Sequence, residues 1–330
     1  MTPQNLPWQA CAHTVRGDSH QRQNKPNQDA YHLVSKAGNS IVITISDGHG
    51  SDRYFRSHIG AQLAVKVAAE VLQTIVSQSY ETVYELSRQQ LPAKLVQGWQ
   101  KAVIEHYQTS PFTEEEKERL ATNNNIIPYG ATLLGVVVTP AFIVYLQLGD
   151  GDILCLNQDG TIFRPLAGDS RLFANETTSL CLPKAWSDFR IQMQPCNESS
   201  PVLIFLATDG YSNSFPSEED LHNDMRLYLN WIKEEGLESV DRELPKLLEQ
   251  VTKRGSGDDI TVGIMTRLAC EQKTAADKTS NSETSEKNDK KITEEQEGQD
   301  NRLDTLATMP IRLILLIILL IIAFIIFKRQ

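Results

Sequence analysis

Four short segments of this chain place carboxylates beside glycines where apolar runs begin or end. The segments are Asp47-Gly48-His49-Gly50, Gly149-Asp150-Gly151-Asp152, Thr208-Asp209-Gly210 and Gly257-Asp258-Asp259. Carboxylate oxygens without paired cysteines or histidines suit Mg²⁺ or Mn²⁺ better than Zn²⁺. Converging carboxylates repel one another unless cations lie between them. One Asp-Gly is usually only a turn, but four in one domain favour a divalent-metal site.

The apolar runs that carry these carboxylates predict β-strands, which are rigid enough to position groups on the adjoining loops. Ile41–Ser46 is β-branched and stops at Asp47. Turn signals separate four further runs, which together predict an antiparallel meander: Thr132–Val138, Phe142–Leu148, Ile153–Leu156 and Thr161–Phe163. Two more strands are expected at Val202–Ala207 and Ile260–Met265.

Three apolar stripes with a period of about four residues predict helices that pack on the sheets. The stripes are Ile59, Leu63, Val67, Val71 and Ile75; Leu95, Trp99, Val103 and Tyr107; and Leu221, Met225, Leu229 and Ile232. A Ser217…Asp220 capping box opens the third. Helices between groups of antiparallel strands indicate an α+β class.

Composition limits the functional classes. The 330 residues carry a net charge of −10 with a pI near 5.3, which argues against nucleic-acid binding but not against divalent cations. The five cysteines are odd in number and form no C-x-x-C pair, so neither a disulfide framework nor a zinc knuckle is indicated. Reduced thiols are typical of a cytosolic domain.

The chain is expected to have three parts. Residues 1–270 have a globular composition. Residues 271–308 hold ten acidic, six basic and only six apolar side chains, which predicts a disordered charged linker. Leu313–Phe327 is apolar throughout, and together with Met309–Arg312 it predicts a transmembrane anchor over 309–327. The expected protein is single-pass and tail-anchored in a lipid bilayer, with its catalytic domain in the cytosol.

In order and spacing, the motifs resemble those of the PP2C-type (PPM) metal-dependent serine/threonine protein phosphatases over nearly all of residues 10–268. The matching segments are Asn27-Gln28-Asp29-Ala30, Asp47-Gly48-His49-Gly50, Tyr129-Gly130-Ala131-Thr132, Leu148-Gly149-Asp150, Ala207-Thr208-Asp209-Gly210 and Asp258-Asp259-Ile260-Thr261. Ser19-His20, Phe55-Arg56-Ser57 and Asn175–Leu180 are further similar to a prokaryotic-looking branch of that family.

The resemblance implies a four-layer α-β-β-α sandwich of two antiparallel sheets flanked by helices. It also implies two Mn²⁺ or Mg²⁺ ions per domain, at one edge between the sheets. Asp47 would bridge both ions, and the Gly48 carbonyl would bind one of them. Asp209 and Asp258 would complete the shell of the other.

Two further carboxylates and one histidine have roles by the same resemblance. Asp29 would hold metal-bound waters from behind the ligands, and Asp150 would help to hold a weaker third metal. Two cations would activate a bridging hydroxide for in-line attack on phosphorus and neutralise the phosphoryl oxygens. His49 would be the general acid for the departing alkoxide. The alternative for His49 is that it only orders its turn.

The sequence departs from the family pattern at three places. Asn24 stands where the family typically has a phosphate-binding arginine, so Arg22 is the candidate for that role, with Arg53, Arg56 or a metal as substitutes. Asn213 stands where many relatives have aspartate, which would weaken a third metal site. Asp259 stands where asparagine is common, and Asp258 is taken as the ligand.

The leading functional hypothesis is a membrane-tethered Mn²⁺/Mg²⁺-dependent phosphatase of phosphoserine and phosphothreonine in proteins. The first alternative is a catalytically weak phosphopeptide-binding or scaffold module at the membrane. The second is a hydrolase of small phosphate esters, which would differ only in its substrate pocket. The segment Pro165–Pro201 is expected to flank the site and to select substrates.

Overall fold

Ten strands form two five-stranded antiparallel sheets in the structure, a computed structural model that describes residues 7–36, 39–120, 124–168 and 177–268. In spatial order, the first sheet contains β1 (Gln9–Val15), β10 (Ile260–Thr266), β9 (Leu203–Ala207), β6 (Asp152–Leu156) and β7 (Ile162–Phe163). The second contains β2 (Ala30–Lys36), β3 (Ser40–Ser46), β4 (Leu133–Val138), β5 (Phe142–Leu148) and β8 (Arg190–Pro195).

Helices cover the outer face of each sheet. The second sheet is covered by α2 (Ser57–Gln73), α3 (Tyr80–Gln89) and α4 (Leu91–Thr109), and the first by α7 (Glu218–Glu235) and α8 (Leu237–Arg254). Three short helices lie in connections: α1 (Asp18–Arg22), α5 (Glu114–Glu118) and α6 (Asp209–Ser212). The four-layer α-β-β-α sandwich that the sequence predicts is therefore confirmed.

The central strands are buried on both faces, which explains their continuous apolar sequences. Ile43, Ile45, Tyr145 and Leu206 belong to a cluster between the two sheets and are fully buried. Two other clusters fill the space between each sheet and its helices. Burying a side chain of this size contributes roughly 1.5–3 kcal/mol, so these layers supply most of the driving force for the sandwich.

The strand registers bring the carboxylates to one edge of each sheet. In the second sheet Ala30 pairs with Ser46, so Asp29 and Asp47 lie next to each other just beyond the paired ends. In the first sheet Val15 pairs with Ile260, and Asp152 pairs with Ala207. The starts of β6 and β10 and the end of β9 therefore meet at that edge.

The predicted meander is wrong at one connection. β4 and β5 pair as expected, but β6 pairs with β9 and β7 in the opposite sheet. The chain crosses between sheets at Gly149–Gly151, where Gly149 has a φ of +106°. A turn signal in a sequence shows that the chain changes direction, but it does not show which strand the next segment pairs with. The crossing places Asp150 at the edge between the two sheets.

The most buried face of α2 differs from the predicted stripe. Ile59, Leu63 and Val71 are only partly buried, whereas the small-residue face that contains Ala61, Ala64, Ala68 and Ala69 is fully buried. The short side chains allow the helix to lie close to the strands. On its other side, Trp99 of α4 donates a hydrogen bond of 2.9 Å from Nε1 to the carbonyl of Gly60.

Some predictions concern segments that the structure does not describe. The linker 271–308 and the anchor 309–327 lie outside the described residues, as does part of Pro165–Pro201, at 169–176. No helix within the described ranges is long and apolar enough to cross a membrane.

Candidate functional site

A cleft of about 210 Å³ opens at the edge where the two sheets meet. Its walls include six of the residues that the sequence singled out: Asp47, Gly48, His49, Asp150, Asp209 and Asp258. They come from the ends of strands in both sheets. The cleft is therefore a product of the sandwich and not of any single loop.

Asp47 leaves the end of β3 in a fixed orientation. Its N–H donates to Thr132 Oγ1 at 3.0 Å, and its carbonyl accepts from the Thr132 N–H at 2.8 Å. The next residue must be glycine, because a Cβ on Gly48 would lie 2.7 Å from the carbonyl oxygens of Gln28 and Ser57. Local packing thus holds the Asp47 carboxyl group at the cleft.

Asp209 approaches Asp47 from the other sheet, where it opens α6 directly after β9. The two carboxyl groups interact electrostatically, and Asn213 Nδ2 donates to Asp209 Oδ2 at 3.1 Å. Burial, followed by repulsion from neighbouring carboxylates, raises the pKa of Asp47 well above its usual range and that of Asp209 to about 6. Two acids so close together require a shared proton or a cation.

Asp29 lies behind the cleft and joins the two sheets. It is buried at the start of β2, and its Oδ2 accepts hydrogen bonds from Thr208 Oγ1 at 2.7 Å and Thr261 Oγ1 at 2.8 Å. Burial and, next, the charge of Asp259 raise its pKa well above the usual value. Asp29 does not line the cleft, which fits the role of supporting the ligands from behind. That role stays a prediction.

Asp258 and Asp259 differ in exposure. Both side chains line the cleft, but that of Asp258 is about half exposed, whereas Asp259 is buried. The two carboxylate oxygens of Asp259 accept from the N–H groups of Gly17 and Gln28, each at 2.6 Å. Asp258 is therefore the more accessible carboxylate of the pair.

His49 lines the cleft next to Asp47. Its ring packs against that of Tyr54, with centroids 4.7 Å apart. Its backbone N–H donates to the carbonyl of Gly130 at 3.2 Å. Burial and, to a smaller degree, the charge of Arg53 lower the pKa of His49 to about 4. The imidazole is therefore neutral at pH 7 in this environment, and an anion bound beside it would favour its protonated form.

The three candidate phosphate-binding arginines have different surroundings. Arg22 is largely exposed, pairs with Asp18 at 3.0 Å and does not line the cleft. Arg56 is buried, and its guanidinium donates to both carboxylate oxygens of Glu116. Arg53 is exposed and lies 4.9 Å from the ring centre of Tyr54, which itself contacts His49. Phosphate binding by Arg22 stays a prediction, and Arg53 has the more suitable neighbours.

A second pocket of about 210 Å³ adjoins the cleft, and Gln28 and Gly50 line both. Its wall carries two cations, Lys25 and Arg119, together with Asp52. Arg119 donates to the Asp52 carbonyl at 3.0 Å. Among the described residues, no carboxylate lies within ion-pair distance of either cation. The pocket thus offers a positive surface next to a negative cleft.

The donors in the cleft fit hard divalent cations. Asp47, Asp209 and Asp258 supply carboxylate oxygens from both sheets, and Gly48 supplies a backbone carbonyl. Burial, and after it the repulsion between neighbouring carboxylates, raises the pKa values of Asp47 and Asp209, and a cation would offset both effects. None of the described residues that line the cleft is a cysteine.

The sequence profile described as Protein phosphatase 2C matches residues 16–249. The chain belongs to the protein phosphatase 2C family. Members of this family depend on divalent metals. A sequence search of curated proteins finds no match.

Solved phosphatase 2C structures have the same fold. Stp1, the serine/threonine phosphatase of Staphylococcus aureus, is 15% identical with a TM-score of 0.54, and the match covers 79% of this chain and 96% of Stp1. The S. agalactiae serine/threonine phosphatase is 16% identical with a TM-score of 0.53, covering 78% and 99% of the two chains. PppA of Pseudomonas aeruginosa is 16% identical with a TM-score of 0.52, covering 79% and 97%. At these identities the comparison shows the fold alone.

Sequence reasoning assigned no role to His20, Gln28 and Thr177, which line the cleft, and it preferred Asp258 over Asp259, which lines the cleft as well. His20 and Gln28 stand in segments that resemble the family. Neither lies at the end of an apolar run, so a search for polar residues at strand ends does not find them. Thr177 follows the undescribed residues 169–176. No local pattern marks it.

Proposed function

We propose that this chain is a Mn²⁺- or Mg²⁺-dependent phosphatase of phosphoserine and phosphothreonine in proteins. The supporting observation is the convergence of Asp47, Asp209 and Asp258, carried by strands of both sheets, in one cleft of a phosphatase 2C domain. When bound, two divalent cations supply charge neutralisation of the phosphoryl group and a nucleophile at neutral pH. We expect each domain to bind two ions, and a third ion with lower affinity.

Each carboxylate has a distinct proposed role. Asp47 would hold both ions, and the Gly48 carbonyl would bind one of them. Asp209 and Asp258 bind from the first sheet. Asp29 fixes the ligand loops through Thr208 and Thr261. Asp150, exposed at the sheet crossing, is the candidate for the third ion, where Asn213 supplies no charge.

His49 is the proposed general acid. It is half-buried and lines the cleft. Tyr54 packs against its ring, and the Gly130 carbonyl accepts from its backbone N–H. A bound phosphate dianion raises the pKa of a neighbouring imidazole, which opposes the lowering that burial causes. A protonated His49 then donates its proton to the departing serine or threonine oxygen.

The adjoining pocket supports a peptide substrate over a small phosphate ester. A phosphorylated side chain entering the cleft would carry its flanking residues past Gln28 and Gly50, which line both cavities. Lys25 and Arg119 would attract acidic or phosphorylated neighbours in the substrate. A small ester would use the cleft alone.

Tethering to a membrane is a further part of the proposal. It rests on the apolar sequence of 309–327, which the structure does not describe. A phosphatase held at a bilayer would meet membrane-associated substrates at a raised effective concentration. Cysteines without disulfides support a cytosolic location for the domain.

Phosphate release from a phosphothreonine peptide by the full chain tests the proposed activity. We expect release with Mn²⁺, loss of release with EDTA and recovery when Mn²⁺ is returned. A matched p-nitrophenyl phosphate assay should give a lower kcat/KM, because that substrate leaves the second pocket empty. Peptide binding and Mn²⁺ binding without any turnover would contradict the proposal and favour the scaffold alternative.

A further inference from the structure

His20 is a buried histidine that faces the cleft and has no assigned role. It lies in α1, is 9% exposed, and its ring lines the same cavity as Asp258. Its Nδ1 is 2.9 Å from Asp259 Oδ2, and its Nε2 is 4.0 Å from Asp258 Oδ1. Nδ1 is buried and makes no hydrogen bond despite its nearness to Asp259, and Nε2 has no hydrogen-bond partner among the described residues. Burying an imidazole ring without hydrogen-bond partners is costly unless a ligand occupies one of its nitrogens.

Asp259 lies beside the other nitrogen of this ring, at 2.9 Å but without a hydrogen bond to it. Both of its oxygens are fixed by backbone N–H groups, those of Gly17 and Gln28, so the carboxylate cannot turn away. A carboxylate beside Nδ1 favours the tautomer with its proton on that nitrogen. Nε2 is then an acceptor with a lone pair, and it is the nitrogen nearer to Asp258.

We propose that Nε2 of His20 is a ligand of the divalent cation that Asp258 binds. The inference rests on the proposed divalent-metal site and adds a nitrogen ligand to its carboxylate oxygens. Two ligand atoms at about 2.1 Å from one ion can lie up to about 4.2 Å apart, so the observed 4.0 Å separation fits one shared ion. With the ion bound, Asp259, His20 and the ion would lie in the order carboxylate, histidine, metal, which is a common way of orienting a metal-binding imidazole.

A nitrogen ligand changes which ion the site prefers. Mg²⁺ favours oxygen ligands, whereas imidazole suits transition metals. The ion at Asp258 should therefore be Mn²⁺ in preference to Mg²⁺. The same nitrogen adds no charge to a cleft that is already lined by five carboxylates, so it strengthens binding without further repulsion.

Pulsed electron paramagnetic resonance of the full chain loaded with Mn²⁺ tests the proposal directly. We expect ¹⁴N coupling from a directly bound imidazole, its loss in His20→Gln, and its retention in His32→Gln, a control at an exposed histidine on β2. Calorimetry should show the Kd for Mn²⁺ rising about tenfold or more in His20→Gln, with a smaller change for Mg²⁺.

Absence of imidazole coupling in the Mn²⁺-loaded wild-type chain would overturn the proposal, whatever the variants do. Coupling and Mn²⁺ affinity unchanged in His20→Gln would also overturn it. If His20→Gln does not fold, His49→Gln replaces it: coupling that persists there supports His20, and coupling that disappears contradicts it. Mn²⁺ binding without nitrogen coupling would contradict the His20 ligand but not the phosphatase proposal. A chain that binds no Mn²⁺ would contradict both proposals.

Discussion

Asp258 and Asp259 are adjacent in sequence and identical in chemistry, but their surroundings differ. Asp258 is exposed to the cleft, and Asp259 is buried with two backbone N–H groups donating to it. We expect Asp258→Asn to reduce phosphatase activity at least a hundredfold while the melting temperature of the metal-free chain stays within about 2 °C. We expect Asp259→Asn to destabilise the metal-free fold by about 1–3 kcal/mol, because the amide nitrogen of asparagine cannot accept from a backbone N–H.

Urea unfolding in EDTA, together with activity at saturating Mn²⁺, separates the two roles. If Asp258→Asn retained full activity and Asp259→Asn abolished Mn²⁺ binding without loss of stability, the ligand assignment would be reversed.

The individual cleft residues differ in how far the sequence could predict them. Asp47, Asp209 and Asp258 were found because each stands at a strand end, which is a local property. His20 was given no role, because its contact with Asp259 joins residues 239 positions apart in the chain. The surroundings of Arg56 depend in the same way on Glu116, 60 residues later. Only the folded chain brings such pairs together.

At the level of elements, a buried ion pair holds the start of α2 against α5. Arg56 donates from Nε and Nη2 to the two oxygens of Glu116, at 2.8 Å and 2.7 Å, and from Nη1 to Tyr129 Oη at 2.8 Å. α2 begins at the next residue, and it follows the turn that contains His49. We expect Glu116→Ala to lower the free energy of unfolding by about 2–3 kcal/mol, because it leaves Arg56 buried without its partner.

Glu115→Ala, on the same helix but exposed, is the matched control and should change stability by less than about 0.5 kcal/mol. The hydrogen bond from Arg56 lowers the pKa of Glu116. The stabilisation is therefore present at neutral pH and is lost as the pH falls below about 4.5. The free energies of unfolding of Glu116→Ala and Glu115→Ala should therefore become similar in acid. Equal stabilities of the two variants at pH 7 would contradict the role given to this pair.

The elements were predicted best where their sequences are apolar along their whole length. β3, β5 and β9 were found in this way, whereas β8 (Arg190–Pro195) was missed because it is a polar edge strand with only one fully buried residue. The alanine face of α2 was missed because alanine gives a weak apolar signal. The sheet crossing after β5 could not be predicted either, since strand pairing is decided by tertiary contacts.

At the scale of the whole molecule, the cleft exists only when both sheets are packed together. Asp47 belongs to the second sheet, Asp209 and Asp258 belong to the first, and Asp29 connects the sheets through Thr208 and Thr261. The four-layer class could be predicted from the motifs through their family resemblance. The distances between the candidate ligands could not be predicted, because they depend on how the two sheets are stacked.

The proposed tether makes a separate prediction for the whole chain. Expressed in cells, the full chain should remain in the membrane fraction after washing with alkaline carbonate. A chain that lacks 309–330 should move to the soluble fraction, because the apolar run would be removed. Retention of the shortened chain in washed membranes would contradict tethering by this segment, without affecting the phosphatase proposal.

The most direct test of the central claim compares Asp47→Asn with Asp52→Asn in the full chain. Asp47 lines the cleft and is the proposed ligand of both ions, whereas Asp52 is exposed, five residues later, and does not line that cleft. With a phosphothreonine peptide and saturating Mn²⁺, we expect kcat to fall at least a thousandfold in Asp47→Asn and to stay within about threefold of wild type in Asp52→Asn. Undiminished Mn²⁺-dependent turnover by folded Asp47→Asn would contradict catalysis by a metal centre built on this carboxylate.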